Sequence, residues 1–493
     1  MEDLPKTERF LIHTETVVIG DVSSRLSSII FFLLCFIPVF STIMFGAVDN
    51  TTWIFISIFC AAIAFLWLAE AWKGQGFLFN PSSIQIPLIG LITIGLVQLL
   101  PLAGGDADSL LGIRASHALS LEPYATRFFV IRLLIYFVFF AACLAFINND
   151  RRFKKAVLLV VIFGALMAFF GIMQRLADPD SIYGMRTMTQ AIAFGPFVNQ
   201  HHFASFMQMT GGVTLGLLLG KSTVRDKKIL LAFALIIMGV AVVLTSSRGG
   251  LIGFASVVMF VALLNFLSGR RPGESRKDAI SATGIQRKIA MAVGAVAFFV
   301  VIFGTVLFIG GNDSLLRGIG ITNAGSGADL STGRFHFWPI AISIFLEHPI
   351  IGAGFDAFGV AFTRYDTWSG QFRVEQAHND YLQTLADAGL AGFACVAGFV
   401  YLLFKKGLAT IVKSTGFRRE AAIGALAGCF GIMIHSFFDF PLRTPSNAFF
   451  FLFLCAIITV PTQSNSSRSK RRRHSSPSEP SPPHLSSRTA SQT

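Results

Sequence analysis

The sequence predicts an all-α fold: a polytopic transmembrane helix bundle of about 12 spans, with one large outer loop containing short helices. Three observations predict it. The chain of 493 residues is 53% hydrophobic and only 14% charged, with a mean hydropathy of +0.65, which excludes an ordinary soluble domain. Apolar runs of roughly 20 residues, the length that crosses a bilayer core, recur along it. Segments rich and poor in Lys and Arg alternate between those runs.

In order, the expected spans are 26–47, 52–72, 84–103, 128–148, 156–174, 200–220, 229–245, 249–267, 288–310, 384–404, 420–440 and 446–461. With residues 1–25 placed in the cytoplasm, the inner segments carry 29 Lys and Arg and the outer segments 10, with Arg132 inside a span. That bias puts both termini inside and the loop 311–383 outside, between spans 1–9 (26–310) and spans 10–12 (384–461). All 13 lysines fall on the inner side, and every outer positive charge is an arginine. Arginine binds phosphate through a planar fork and stays charged when partly desolvated. An outer face that handles a phosphorylated or acidic ligand would account for the pattern; the inside preference of lysine is the plainer account.

The net charge of +13 does not signal nucleic acid, because its positions follow membrane topology. Residues 462–493 are rich in Ser, Pro and Arg and are expected to be a disordered cytoplasmic tail, with Arg468–Arg473 as an anchor at anionic membrane lipids. The six cysteines lie in apolar runs without a CxxC pair, so no disulfide framework and no metal site is expected. No P-loop, HExxH or GxSxG motif is present, and no cofactor is expected.

The candidate catalytic residues are Arg248, Arg334 and His378. Arg248 stands in Ser247-Arg248-Gly249-Gly250, at the outer end of two apolar runs, where a charge is costly without a partner and a helix N-terminus favours an anion. Arg334 begins an amphipathic helix running to Glu347, with Trp338, Ile342 and Phe345 on one side; His348-Pro349 ends it and Gly352-Ala-Gly354 forms a tight turn. An Arg at a helix start opposes the dipole unless an anion accompanies it. His378 falls in the first turn of the helix that enters span ten, where Asn379 and Asp380 could orient a neutral imidazole. The substrate-binding candidates are Asn199, His202, Trp338, Asn379, His435, Asp439 and Arg443. Asn199 and His202 open a span from the outer side, and the adjacent His201 and His202 point different ways on a helix, which argues against a metal. His435 and Asp439 are four apart on one helix face, so function and a structural His–Asp hydrogen bond are equally good accounts.

Together the Ser-Arg-Gly, Thr-Gly-Arg-x-x-x-Trp, Glu-His-Pro-x-x-Gly-x-Gly, His-Asn-x-x-Leu and His-x-x-x-Asp-x-Pro-Leu segments resemble, in that order, the bacterial O-antigen ligase and polymerase superfamily. The resemblance extends from about Phe194 to Pro445. It implies a metal-independent, inverting glycosyltransferase of the inner membrane. The donor would be a glycan on undecaprenyl diphosphate, and the acceptor a lipid A core sugar or another glycan. Arg248 and Arg334 match the arginines that hold the diphosphate, and His378 matches the histidine that activates the acceptor hydroxyl. A lipid-linked glycan transporter is the rival reading from another class.

Overall fold

The computed structural model describes residues 24–74, 76–102, 117–188, 192–267, 333–368 and 374–460. Eleven of the twelve expected spans coincide with helices: α1 (Arg25–Ile43), α2 (Asn50–Gly74), α3 (Ile86–Gln98), α4 (Pro123–Phe146), α5 (Asp150–Ala177), α6 (Gln200–Leu219), α7 (Arg225–Leu244), α8 (Arg248–Leu267) and, beyond two short helices, α11 (Asp380–Lys413), α12 (Gly416–His435) and α13 (Pro445–Thr459). The two short helices, α9 (Arg334–Glu347) and α10 (Phe358–Phe362), lie in the stretch read as the loop. A two-stranded antiparallel hairpin, β1 (Ser181–Ile182) with β2 (Arg186–Thr187), joins α5 to α6. The expected span 288–310, loop residues 311–332 and the tail 462–493 lie outside the described residues.

Seven of these helices (α1, α2, α4, α5, α7, α8 and α11) are long and apolar enough to cross a membrane, and α3 and α13 are shorter apolar helices. Helices α6 and α12 are not among the seven, and burial explains why they need not be. Of the 20 residues in α6, 17 are buried, so protein rather than lipid surrounds it. Such a helix can carry Thr210 and Thr214, whose hydroxyls donate to the carbonyls of Phe206 and Thr210, and Gln208, whose Nε2 donates to the Gly250 carbonyl.

The two buried helices touch through their backbones. Gly212 and Gly216 on α6 face Gly424 and Gly428 on α12, each pair spaced by four so that it lies along one helix side. A Cβ at Gly212 would stand 2.6 Å from the Gly428 nitrogen, and one at Gly216 would stand 2.6 Å from the Gly424 Cα. Aromatic rings fill the space around this contact, with Phe163, Phe206 and Phe450 packed ring to ring.

Helix α11 is broken. Gly389 sits at φ 61°, outside helical geometry, and the chain from Pro349 to Phe355 lies in the gap. The amides of Leu390 and Ala391 donate to the carbonyls of Pro349 and Ile350, at 2.8 and 3.0 Å. The amides of Ala353 and Gly354 donate to Ala386 and Asp387, at 2.8 and 3.1 Å. Gln98 of α3 closes the arrangement: its Nε2 donates to the carbonyls of Ile351 and Asp387, and its Oε1 accepts from the Phe355 amide. Irregular backbone inside such a bundle is tolerated only when its polar groups are satisfied in this way. The Gly352-Ala-Gly354 turn is therefore a piece of the break: Gly352 at φ 75° leaves no room for a side chain against Asp387 and Ala388.

Helix α9 spans the expected residues, but its buried face is Phe337, Ile340, Ala341 and Ile344. The expected face is shifted by one position: Ile342 is 45% exposed, and Trp338 and Phe345 are half-buried. The buried face joins Phe358 and Phe362 of α10 in a small core of its own.

Gly212→Val and Gly428→Val should each cost about 3 kcal/mol by overpacking. They should lower the melting temperature of detergent-purified protein well below that of Gly74→Ala, whose Cβ meets nothing within 4 Å. Equal melting of all three would contradict the backbone contact.

Candidate active site

The turn after α12 gathers the candidate residues. Helix α12 stops at His435, whose carbonyl accepts from the amides of Phe438 and Asp439. The buried His435 ring is anchored to α6, with Nδ1 at 2.7 Å from the Ser205 hydroxyl and 3.1 Å from Gln208 Nε2. The start of α11 docks on the same turn. The Asp380 amide donates to the Ser436 carbonyl at 2.9 Å, the Ser436 hydroxyl donates to Asp380 Oδ2, and Asn379 Nδ2 donates to the Phe437 carbonyl. Asn379 also caps α11, accepting from the amides of Tyr381 and Leu382.

His378 therefore stands one residue before the helix cap, not in the first turn. Its φ of 51° is uncommon for a residue with a side chain. The neighbouring peptide is clamped on both sides: the Ala377 amide donates to Gln383 Oε1, and Trp338 Nε1 donates to the Ala377 carbonyl. That use of the Trp338 N–H turns the indole toward the loop and accounts for the shifted face of α9.

His378 Nδ1 lies 3.0 Å from Oδ1 of Asp439. Asn379 and Asp380 do not orient it, because both are committed to the turn. Nor do His435 and Asp439 share a hydrogen bond; the helix ends between them, so spacing by four no longer brings their side chains together. Asp439 is 1% exposed. An ionised Asp439 can only accept, so Nδ1 of a neutral His378 carries the proton and Nε2 is left to take one. The His378 side chain is 32% exposed, so it is reachable.

Both candidate arginines border the same turn. Arg334 Nε donates to the Phe438 carbonyl at 2.8 Å. Arg248 is the exposed first residue of α8. Its neighbour Gly249 packs so closely that a Cβ would stand 2.8 Å from the His435 ring and 3.2 Å from Phe438 Cβ. The start of α8 is held by Ser247, whose hydroxyl accepts from the Gly250 amide and pairs with His201 Nδ1 at 2.8 Å. The histidines 201 and 202 do diverge: His202 Nδ1 pairs with the Thr444 hydroxyl at 2.6 Å. Asn199 caps α6, accepting from the His201 amide.

Arg443 belongs to a neighbouring ion cluster. It reaches Asp356 at 3.0 Å and Asp387 of α11, and Asp356 lies 3.8 Å from Arg132. Asp356, Asp387 and Arg132 were not among the sequence candidates, although an acid and a base inside apolar runs call for partners. An apolar cavity of about 220 Å³ opens between α3, α4, α11 and α13, lined by Leu88, Leu133, Phe399 and Leu452.

Residues 233–397 match the family model described as O-antigen ligase. This match, over about a third of the chain, supports membership of the O-antigen ligase and polymerase superfamily. No curated protein matches the chain. The O-antigen ligase match contains Arg248, Arg334 and His378, while Asp439, the partner of His378, lies beyond it.

Asp439→Asn keeps the shape of the side chain and removes its charge. It should lower turnover in the family reaction about 10²-fold or more, with an unchanged melting temperature. Full activity would show that His378 does not depend on this carboxylate.

Proposed function

We propose that this chain transfers a glycan from an undecaprenyl-diphosphate carrier to an acceptor hydroxyl at the periplasmic face of the inner membrane, in the manner of an O-antigen ligase. The single observation that carries the reading is the convergence of His378–Asp439, Arg334 and the start of α8 on one turn. The family match supports the reaction class. The Lys and Arg bias supports an outward-facing loop with both termini in the cytoplasm.

In this reading His378 Nε2 takes the proton of the acceptor hydroxyl. The oxygen attacks the anomeric carbon, the new C–O bond forms, and the bond to the carrier diphosphate breaks with its electron pair on the leaving phosphate. Attack opposite the leaving group inverts the anomeric centre. Asp439 stabilises the imidazolium that develops on His378. Arg248 and Arg334 stabilise the charge on the leaving diphosphate, a role that matters most in the transition state. The sugar arrives activated, so the step needs no ATP. The apolar cavity beside α11 supports a seat for a lipid chain.

A polymerase differs only in the acceptor, a second carrier-linked glycan. A transporter would bind the same headgroup, but a buried carboxylate aimed at an accessible imidazole is suited to moving a proton.

Purified protein is given an undecaprenyl-diphosphate oligosaccharide, with and without a lipid A core acceptor. Product that requires the core acceptor and is lost in His378→Ala is the expected result. Longer carrier-linked chains without that acceptor would make the chain a polymerase. No product, with equal headgroup binding in wild type and His378→Ala, would favour the transporter. Arg248→Ala and Arg334→Ala should each reduce rate by about 10²–10³-fold. Lysine at either site should rescue poorly, because an ammonium cannot make the bidentate contact; full activity of the lysine variants would contradict that role.

A further inference from the structure

A second cavity, of about 180 Å³, lies beside the His378 turn but is walled off from it by one ring. Phe440 is that wall: its centroid is 4.9 Å from the His378 ring on one side and 5.0 Å from the His202 ring on the other. The cavity is lined by Trp53, Arg132, His202, Asp356, Gln376 and Arg443. At roughly 30 Å³ per water, it has the volume of about six waters, comparable with one pyranose ring.

Three of the residues that line it each carry a buried polar atom with no hydrogen-bond partner among the described residues. These atoms are Trp53 Nε1, His202 Nε2 and Gln376 Oε1. Trp53 is 7% exposed and His202 is 5% exposed. A buried polar atom without a partner costs about 1–3 kcal/mol, so three around one cavity point to a ligand that completes them. The set is mixed: the indole only donates, the amide oxygen only accepts, and the imidazole does either by tautomer. Hydroxyl groups, which both donate and accept, match such a set.

Charge separates a sugar from a phosphate. The guanidinium groups of Arg132 and Arg443 face the carboxylates of Asp356 and Asp387, so the cluster sums to zero. A phosphate would meet carboxylates already paired with both arginines; a neutral polyol would not. The Trp53 ring is itself held in place, with the Arg132 guanidinium 5.1 Å from its centroid. Phe129 and Arg443 also line the apolar cavity, so the polar chamber adjoins a greasy one. That juxtaposition suits a sugar attached to a lipid.

We propose that this chamber is a monosaccharide subsite: it binds one neutral pyranose unit of a lipid-linked glycan next to the His378 turn, through Trp53, His202 and Gln376. The ligand class rests on the glycan-transfer reading, but its test does not require turnover.

The experiment measures binding of a panel of methyl pyranosides (gluco, galacto and N-acetylglucosamine) to detergent-purified full-length protein. Saturation-transfer NMR and tryptophan fluorescence give the readout, for wild type, Gln376→Leu, Trp53→Phe and His378→Ala, each checked for unchanged melting temperature. Wild type and His378→Ala should bind at least one pyranoside saturably, and Gln376→Leu and Trp53→Phe should each weaken it at least fivefold. No binding by any protein, or binding that neither variant weakens, would overturn the subsite and leave the chamber to ordered water.

Should pyranosides bind as expected while no transfer is detected, the subsite stands and the transfer reading falls. Should transfer proceed with unaltered KM in both variants, transfer stands and the subsite falls. A raised KM for the donor alone would assign the ring to the carrier-linked glycan. A raised KM for the acceptor alone would assign it to the acceptor sugar. Either result supports the subsite.

Discussion

The backbone contact between α6 and α12 is the constraint from which the site follows. Four glycines let the two helices approach until a single added methyl would strike main chain. Where lipid is as apolar as leucine, close packing and hydrogen bonds replace the hydrophobic effect as the force between helices. The approach brings Ser205 and Gln208 within reach of His435, the last residue of α12. Everything in the candidate site hangs on that end: the turn carrying Asp439, the α8 start packed against it, and the α11 start bonded to it.

The break in α11 supplies the second half of the geometry. A continuous helix would satisfy its own amides and carbonyls and would have no need of the chain at 349–355. Gly389 instead opens the ladder, and the loop fills it with four backbone hydrogen bonds and the Gln98 side chain. The loop is thereby fastened to the bundle. The break also sets Asp387 where Arg443 reaches it, and Arg443 ties that point to Asp356 in the same loop. Loop, broken helix and the turn after α12 form one bonded unit.

The helices were legible because bilayer thickness imposes a length on apolar runs, and α9 was legible to its last residue because His348-Pro349 stops it. Arg248, Arg334 and His378 were legible as charges and a base beside apolar runs, and the structure brings His378, Arg334 and the α8 start that carries Arg248 to one turn. What escaped the reading depended on where helices stop. Spacing by four from His435 to Asp439 suggests a pair only if α12 continues, and it does not. The partner of Asp439 is 61 residues away in sequence. Gly389 looks like any glycine in an apolar run, so the break had no local mark. Trp53, Arg132 and Gln376 come from three distant segments, and only folding gathers them.

The central claim is that His378 and Asp439 act as one unit, assembled by these two helix ends. A double-mutant cycle on turnover tests it most directly, with His378→Ala, Asp439→Asn and the pair measured in the same reconstituted reaction. Residues that act as a unit lose their effect together. The double variant should therefore be no slower than His378→Ala alone. Losses that multiply, with the double variant slower by the product of the two single effects, would show that the carboxylate and the imidazole act independently and would contradict the account.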